Sequence, residues 1–208
     1  MAGMLYLVPT PIGNLGDISA RCREILAQAD FIAAEDTRVT LRLLNFLEIK
    51  KPLVSYYEHN QSARGKQLLE RMQAGEVCAL VSDAGSPAIS DPGEDLVRLC
   101  AEAGIAVSAI PGPCAVITAL SISGLPTGRF TFEGFLTVNK KSRRERLDSL
   151  KNEERTMIFH EAPHKLRATL EDLRETFGPD RRVALCRELT KLHEETVRTT
   201  LGEAAAYY

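Results

Sequence analysis

An α/β protein built from two α/β domains is predicted by three features of the chain. Short apolar runs alternate with amphipathic segments in a repeating strand–helix order, and the runs lack polar alternation, as parallel strands covered on both faces do. A stretch with two glycines and a proline, Ser123 to Arg129, then interrupts the series. The first domain is therefore expected over residues 1–122 and the second over residues 123–208. MLYLV opens the first as a strand, and Ser19 can cap a helix through Ala29, its hydroxyl accepting from the open N–H groups of the first turn. FIAA is the next strand, and Thr37 can cap a helix with Leu41, Leu44 and Leu47 on one face. LVSY, a helix across Arg64 to Met72, the strand VCALVS, a helix across Glu94 to Ala103, the strand AVSAI and a helix after PGP complete the unit. The second domain offers FTFEGFL, a basic helix near Arg143 to Leu150, TMIFH, a helix from His164 to Phe177, RVALCRE and a final helical stretch ending at Tyr208.

With 208 residues, 44% of them hydrophobic and 26% charged, the chain can fill a core in either one or two domains. MAGMLYLVPTPIG contains only a short apolar run, so neither a signal peptide nor a spanning helix is expected and the cytoplasm is the default location. The five cysteines are odd in number and form no CxxC pair, which reads as reduced, mostly buried thiols. The four histidines, at 59, 160, 164 and 193, do not make a metal pattern. His160 and His164 are four apart but straddle a proline, so a shared helical face and a bound metal are not expected.

Three strand-end loops carry the chemistry. VSDAGSPAISDP, from Val81 to Pro92, holds two Gly/Pro turns and two aspartates, and its small residues let backbone groups approach a ligand closely. VPTPIGNLGD follows the first strand and IPGPCA a later one, and ligands of open α/β sheets bind where such loops meet at the carboxyl ends of strands. Asp83 and Asp91 can accept from ribose hydroxyls or an amine, or can simply form Asx-turns. VPTPIGNLGD lacks both the glycine spacing of a dinucleotide fingerprint and the lysine of a P-loop, which disfavours a pyrophosphate-held nucleotide. A ligand with an adenosine and no phosphate, such as S-adenosyl-L-methionine, suits it better.

The net charge of −2 conceals an asymmetry, because residues 1–125 carry 10 basic against 14 acidic side chains and residues 126–208 carry 16 against 14. The excess is concentrated in KKSRRER, Lys140 to Arg146. This run is either a solvated helix start or a phosphate clamp, with Lys140, Lys141, Arg143 and Arg144 as its RNA-binding residues. Arg38 can hold phosphate or pair with Asp36.

LVPTPIGNLGDIS, AAEDTR, SYYEHN, LVSDAGSPAISDPG, IPGPCAVITALSISGLP, FEGFL, HEAPHKL and CRELTKLHEE resemble, in order and over nearly the whole chain, the ribosomal small-subunit methyltransferase I family. That family lies within the tetrapyrrole methylase superfamily. The resemblance implies a tetrapyrrole-methylase-like fold of two α/β domains with the cofactor cleft between them, usually in a homodimer. It implies S-adenosyl-L-methionine-dependent methylation of a cytidine ribose 2′-hydroxyl in 16S rRNA of the small ribosomal subunit. Matched by motif position, the cofactor contacts it implies are Pro11, Gly13, Ser86, Ile89, Cys114 and Ala115, with Glu161 and Arg187 from the second domain. Two departures stand out. His160 and Lys165 replace the family's usual tyrosine and arginine, and Lys cannot reproduce bidentate Arg geometry. Family chains also usually continue past LGEA into another strand, so an unpaired or partner-covered sheet edge is expected in the second domain.

Transfer to a ribose hydroxyl needs in-line positioning and a base. Candidates are Glu35 and Asp36 in AEDTR, Glu58 and His59 in YEHN, and Glu161 with His164 in HEAPHK. Asp36 and Thr37 have the alternative of capping the next helix, and His59 that of an ordinary loop histidine. Two other functions compete: methylation of a tetrapyrrole ring carbon, which leaves KKSRRER unused, and a non-catalytic RNA-binding factor.

Overall fold

The computed structural model describes residues 3–208 and groups the chain into two compact units that divide between Cys114 and Ala115. The first unit is a five-stranded parallel sheet in the order β3-β2-β4-β1-β5, built from β1 (Met4–Leu7), β2 (Phe31–Ala34), β3 (Leu53–Ser55), β4 (Val77–Val81) and β5 (Ala106–Ala109). Its helices are α1 (Ala20–Gln28), α2 (Thr37–Phe46), α3 (Gln61–Gln73) and α4 (Glu94–Glu102). β2 is buried along its whole length and β4 over its last four residues, which accounts for the absence of polar alternation.

Strand order determines where a ligand can sit. The chain moves towards one edge of the sheet through α1 and α2, then back across it through α3 and α4, and right-handed crossovers put the two pairs on opposite faces. The core follows that division. Cys22, Leu26, Leu43, Leu44 and Leu47 pack on one face with Ile32 and Ala34, whereas Leu68, Met72, Leu96 and Cys100 pack on the other with Phe31 and Ala33. The connections leaving β1 and β2 therefore run to the opposite face from the one leaving β4, which lies between them, and a crevice opens at the carboxyl ends of these strands.

Ser19 caps α1 as its sequence predicts, its hydroxyl accepting from Cys22 N at 3.1 Å. At α2 the cap is Asp36 rather than Thr37, because the carboxylate accepts from Arg38 N at 2.8 Å while Thr37 is already helical. The buried stripe of α2 is Thr40, Leu43 and Leu44, continued by Leu47; Leu41, expected on it, is 50% exposed because it lies off the i, i+3, i+4 face.

The second unit contains α5 (Ala115–Ile122), β6 (Phe130–Phe135), α6 (Lys140–Ser149), β7 (Thr156–His160), α7 (Leu166–Phe177), β8 (Arg182–Arg187), β9 (Glu195–Thr200) and α8 (Leu201–Tyr207). The expected boundary at 122/123 lies at the far end of α5. This helix goes with the second unit, where Ala119 O receives a contact from Cys186 Sγ at 3.8 Å and Arg198 donates to Ile122 O. β6 pairs with β7 in parallel and β8 with β9 antiparallel, as two separate ladders. β7 and β8 are not paired with each other, and a cavity of about 400 Å³ is lined by Thr156, Met157 and Phe159 of β7 and by Arg182, Val183 and Ala184 of β8. Each of these two strands thus leaves one edge on the cavity. β9 is not among the predicted elements, although ETVRTT has the β-branched composition of a strand. Among the described residues no helix is long and apolar enough to cross a membrane.

Candidate active site

Pro9-Thr10-Pro11 has only one amide N–H, on Thr10, and that donor goes to Gly85 O at 2.9 Å while Gly85 N returns a bond of 2.9 Å to Thr10 O. The Thr10 hydroxyl adds a bond to Ser82 O at 3.1 Å, so the loops after β1 and β4 are joined by three hydrogen bonds. Ser86 Oγ donates to Pro113 O at 3.1 Å and ties in the loop after β5. Gly85 has φ +90, and a Cβ there would meet Ile12 Cγ2 at 3.3 Å and Pro113 O at 3.7 Å. The loop's path thus depends on glycine, both for its conformation and for closeness to its neighbours. Two non-glycine residues, Ala88 (φ 66) and Ser90 (φ 61), also take left-handed backbone, a costly conformation that clusters at ligand sites.

A fourth loop joins through carboxylates. Asp83 Oδ1 accepts from Asp36 N at 3.0 Å, and Glu35 Oε2 accepts from Asp83 N at 3.4 Å, so the ends of β2 and β4 exchange bonds. Asp83 therefore acts as scaffold. Asp36 is spent as well, since it caps α2 and holds Arg38 through two parallel bonds, Nε to Oδ1 at 3.0 Å and Nη2 to Oδ2 at 2.6 Å. The Arg38 guanidinium holds the Asp36 carboxyl down to about 2, which makes it a poor base. Glu35 behaves oppositely: burial pushes it up, against the Asp83 N–H bond, and the acids Asp83, Asp91 and Asp36 push the same way. Burial likewise raises Asp91, opposed by a bond from the Ser82 hydroxyl.

Glu35, Glu58, Asp91, Glu94 and Asp95 line one cavity of about 450 Å³ with Arg98 at its wall. His59 is exposed, does not line this cavity, and meets the Tyr57 ring edge-on at 6.2 Å. Pro11 borders a second cavity of about 260 Å³, Gly13 is exposed in the turn before the Asn14-capped 3-10 segment Leu15–Asp17, and Ile89 is 49% exposed. Cys114 and Ala115 lie on either side of the division between the units.

Within the second unit the predicted residues are already engaged. Glu161 accepts from Ala162 N at 2.8 Å and from the Thr169 hydroxyl at 2.5 Å, and Arg187 pairs with Glu195. His160 ends β7 between the rings of Phe132 and Phe135, and burial lowers its pKa; exposed His164 sits in the 3-10 turn Pro163–Lys165. α6 starts at Lys140, so the whole KKSRRER run is helical and Asn139 caps it. Arg143 corrects the clamp. Its side chain is 14% exposed, with Nε on Asp172 at 2.6 Å and Nη2 on Thr169 Oγ1 at 2.7 Å, so it braces α6 against α7 and does not face solvent. Lys140, Lys141 and Arg144 remain exposed, Arg144 within 3.5 Å of Glu175. Thr10 escaped sequence reasoning, although its place between two prolines was a usable signal, since any amide bond from that tripeptide must come from it.

A family model for tetrapyrrole (corrin/porphyrin) methylases matches residues 4–205. Ribosomal RNA small subunit methyltransferase I of Synechocystis sp. is 54% identical over 206 residues, 99% of this chain and 74% of that protein. The protein of the same name from Escherichia coli O157:H7 is 50% identical over 205 residues, 99% of this chain and 72% of its own. Among solved structures, a cobalt precorrin-4 methyltransferase aligns with TM-score 0.69 at 18% identity, covering 98% of this chain and 88% of that one. Uroporphyrin-III C-methyltransferase from Thermus thermophilus, complexed with S-adenosyl homocysteine, aligns with TM-score 0.65 at 19% identity, covering 99% and 91%. These two likenesses concern the fold, whereas half or more of the positions are shared with the first two proteins across nearly the whole chain. The chain belongs to the ribosomal RNA small subunit methyltransferase I family, within the tetrapyrrole methylases.

Proposed function

We propose that the protein methylates the 2′-hydroxyl of a cytidine ribose in 16S rRNA, using S-adenosyl-L-methionine, and that it acts as a homodimer on the RNA or the small subunit. The observation that carries this reading is the 50–54% identity to ribosomal RNA small subunit methyltransferases I over 99% of the chain. The residues present fit the cofactor. The loops of Thr10 and Gly85 are joined through backbone groups and that of Pro113 through the Ser86 hydroxyl, and a Cβ on Gly85 would crowd Ile12. The acids lining the adjacent cavity suit a ligand bearing a sulfonium and ribose hydroxyls better than one bearing phosphates.

When bound, S-adenosyl-L-methionine supplies an electrophilic methyl group. Pro11, Gly13, Ser86 and Ile89 would hold it, with Cys114 and Ala115 following from the PGP loop. Glu35 is the base we assign, because Oε2 is occupied by Asp83 N–H and leaves Oε1 to take the hydroxyl proton. Its raised pKa moves it towards the value at which proton abstraction near neutrality is efficient. Mass mapping of ribose methylation in small-subunit rRNA, with and without the protein, tests the activity and the modified position together. No new 2′-O-methyl group would overturn the reading. Ser86→Trp should abolish cofactor binding in calorimetric titration and, because it also removes the bond to Pro113 O, lower the melting temperature, whereas unchanged affinity would remove Ser86 from the site.

A further inference from the structure

Outside the acidic cavity, the loops after β1 and β4 form one side of the 260 Å³ slot, and α2 forms the other. Its lining is mostly apolar: Pro11 and Leu15 from the first loop region, and Val39, Leu43 and Phe46 from α2. Two features set it apart from an ordinary surface groove. Phe46 is 57% exposed and Leu15 44% exposed at the slot, an arrangement that burial would otherwise remove. Thr40, only 3% exposed, also lines the slot, and its hydroxyl has no hydrogen-bond partner. A helical threonine normally returns that hydroxyl to the carbonyl one turn back, so an unpartnered one beside a cavity is costly unless a ligand satisfies it.

α2 also carries a pattern along its outer side. Arg38, Arg42 and Phe46 follow one another at i, i+4 and i+8, placing them on one stripe about 12 Å long. The Arg38 side chain is 86% exposed, Arg42 is exposed at the slot, and the stripe begins two residues after Asp36. Arg38 is held by Asp36, which leaves Arg42 as the cation for a phosphate, and a cation one turn from an aromatic ring beside an apolar slot suits a single-stranded nucleic acid, with phosphate on Arg42 and an unstacked base on the ring. The acidic cavity lined by Glu35, Glu58 and Asp91 disfavours phosphate there, so the strand is directed along α2.

We infer that the slot between α2 and the Pro11–Leu15 segment receives an unstacked RNA base neighbouring the methylated nucleotide, stacked on Phe46 and hydrogen-bonded by Thr40. The inference rests on the rRNA reading above. It is tested with the full chain, a 5′-fluorescein single-stranded oligoribonucleotide of small-subunit rRNA sequence read by anisotropy, and S-adenosyl-L-methionine read by calorimetry. Phe46→Ala should weaken RNA binding about tenfold or more with an unchanged salt slope, because stacking releases no counterions. Phe46→Tyr should retain wild-type affinity. Arg42→Gln should weaken binding and lower the salt slope by about 0.7. Unchanged RNA affinity in Phe46→Ala would overturn the slot while leaving the rRNA reading in place. A matching loss of cofactor affinity would instead assign the slot to the cofactor's adenine and overturn the inference. Failure of the wild-type protein to bind the RNA would overturn both.

Discussion

Glu35 and Asp36 are adjacent in sequence, yet the fold gives them opposite chemistry. Asp36 has a guanidinium and a helix N-terminus to accept from, whereas Glu35 has one long backbone bond and three acidic neighbours. Glu35→Gln should lower methyl transfer by about 10²- to 10⁴-fold in a single-turnover assay at saturating cofactor. The same variant should melt at a higher temperature than wild type at pH 7. A carboxyl whose folded pKa is raised contributes stability that is full below its unfolded value of 4.5 and is lost as pH rises through the folded value. Glutamine cannot ionise, so it keeps that contribution, and the two melting curves should converge below pH 4.5. Convergence at pH 7 instead would mean that Glu35 carries no burial penalty.

At the scale of elements, α6 shows what a charge run conceals. Seven residues of similar composition, Lys140 to Arg146, divide by helical geometry into outward lysines, Arg143 turned to α7, and Arg146 turned to Glu133 of β6. Arg143→Glu would place a carboxylate against Asp172 and leave the Thr169 hydroxyl with one partner fewer, so a loss of about 1–3 kcal/mol is expected in denaturant melts. Lys140→Gln with Lys141→Gln should leave stability within about 0.5 kcal/mol and lower the RNA salt slope by about 1.4. Equal destabilisation by both sets would show that α6 does not discriminate its faces. A basic run shows in the sequence; its inward member does not, because Asp172 and Thr169 lie on a different helix. The strands β1, β2 and β4 were legible because burial on both faces excludes polar residues. β9 was not, since an edge strand with a polar side mixes Glu, Arg and Thr and lacks that signature.

Over the whole molecule, the two units differ in how their strands are held. β2, β4 and β1 each have a partner on both sides, while β7 and β8 each leave one edge on the cavity of Thr156 and Val183. Hydrogen exchange should therefore be slowest in β1, β2 and β4 and markedly faster at the cavity-side amides of β7 and β8. Uniform protection across all five strands would contradict two separate ladders. The division between units could not be read from residue types, because AVITALSI is apolar nearly all round and suits either core. Most of the loop cluster was legible, because Gly and Pro mark it, but the bonds joining its parts run between residues as far apart as Thr10 and Ser82.

Those bonds bear on the thermodynamics of ligand capture. Three segments already fastened to one another at Thr10, Gly85 and Pro113 need not be ordered when a small molecule arrives, which avoids about 1–2 kcal/mol for each residue left unfrozen until then. Association should therefore be accompanied by a heat-capacity change no larger than the apolar contact area requires, without the excess that marks a segment folding around its guest.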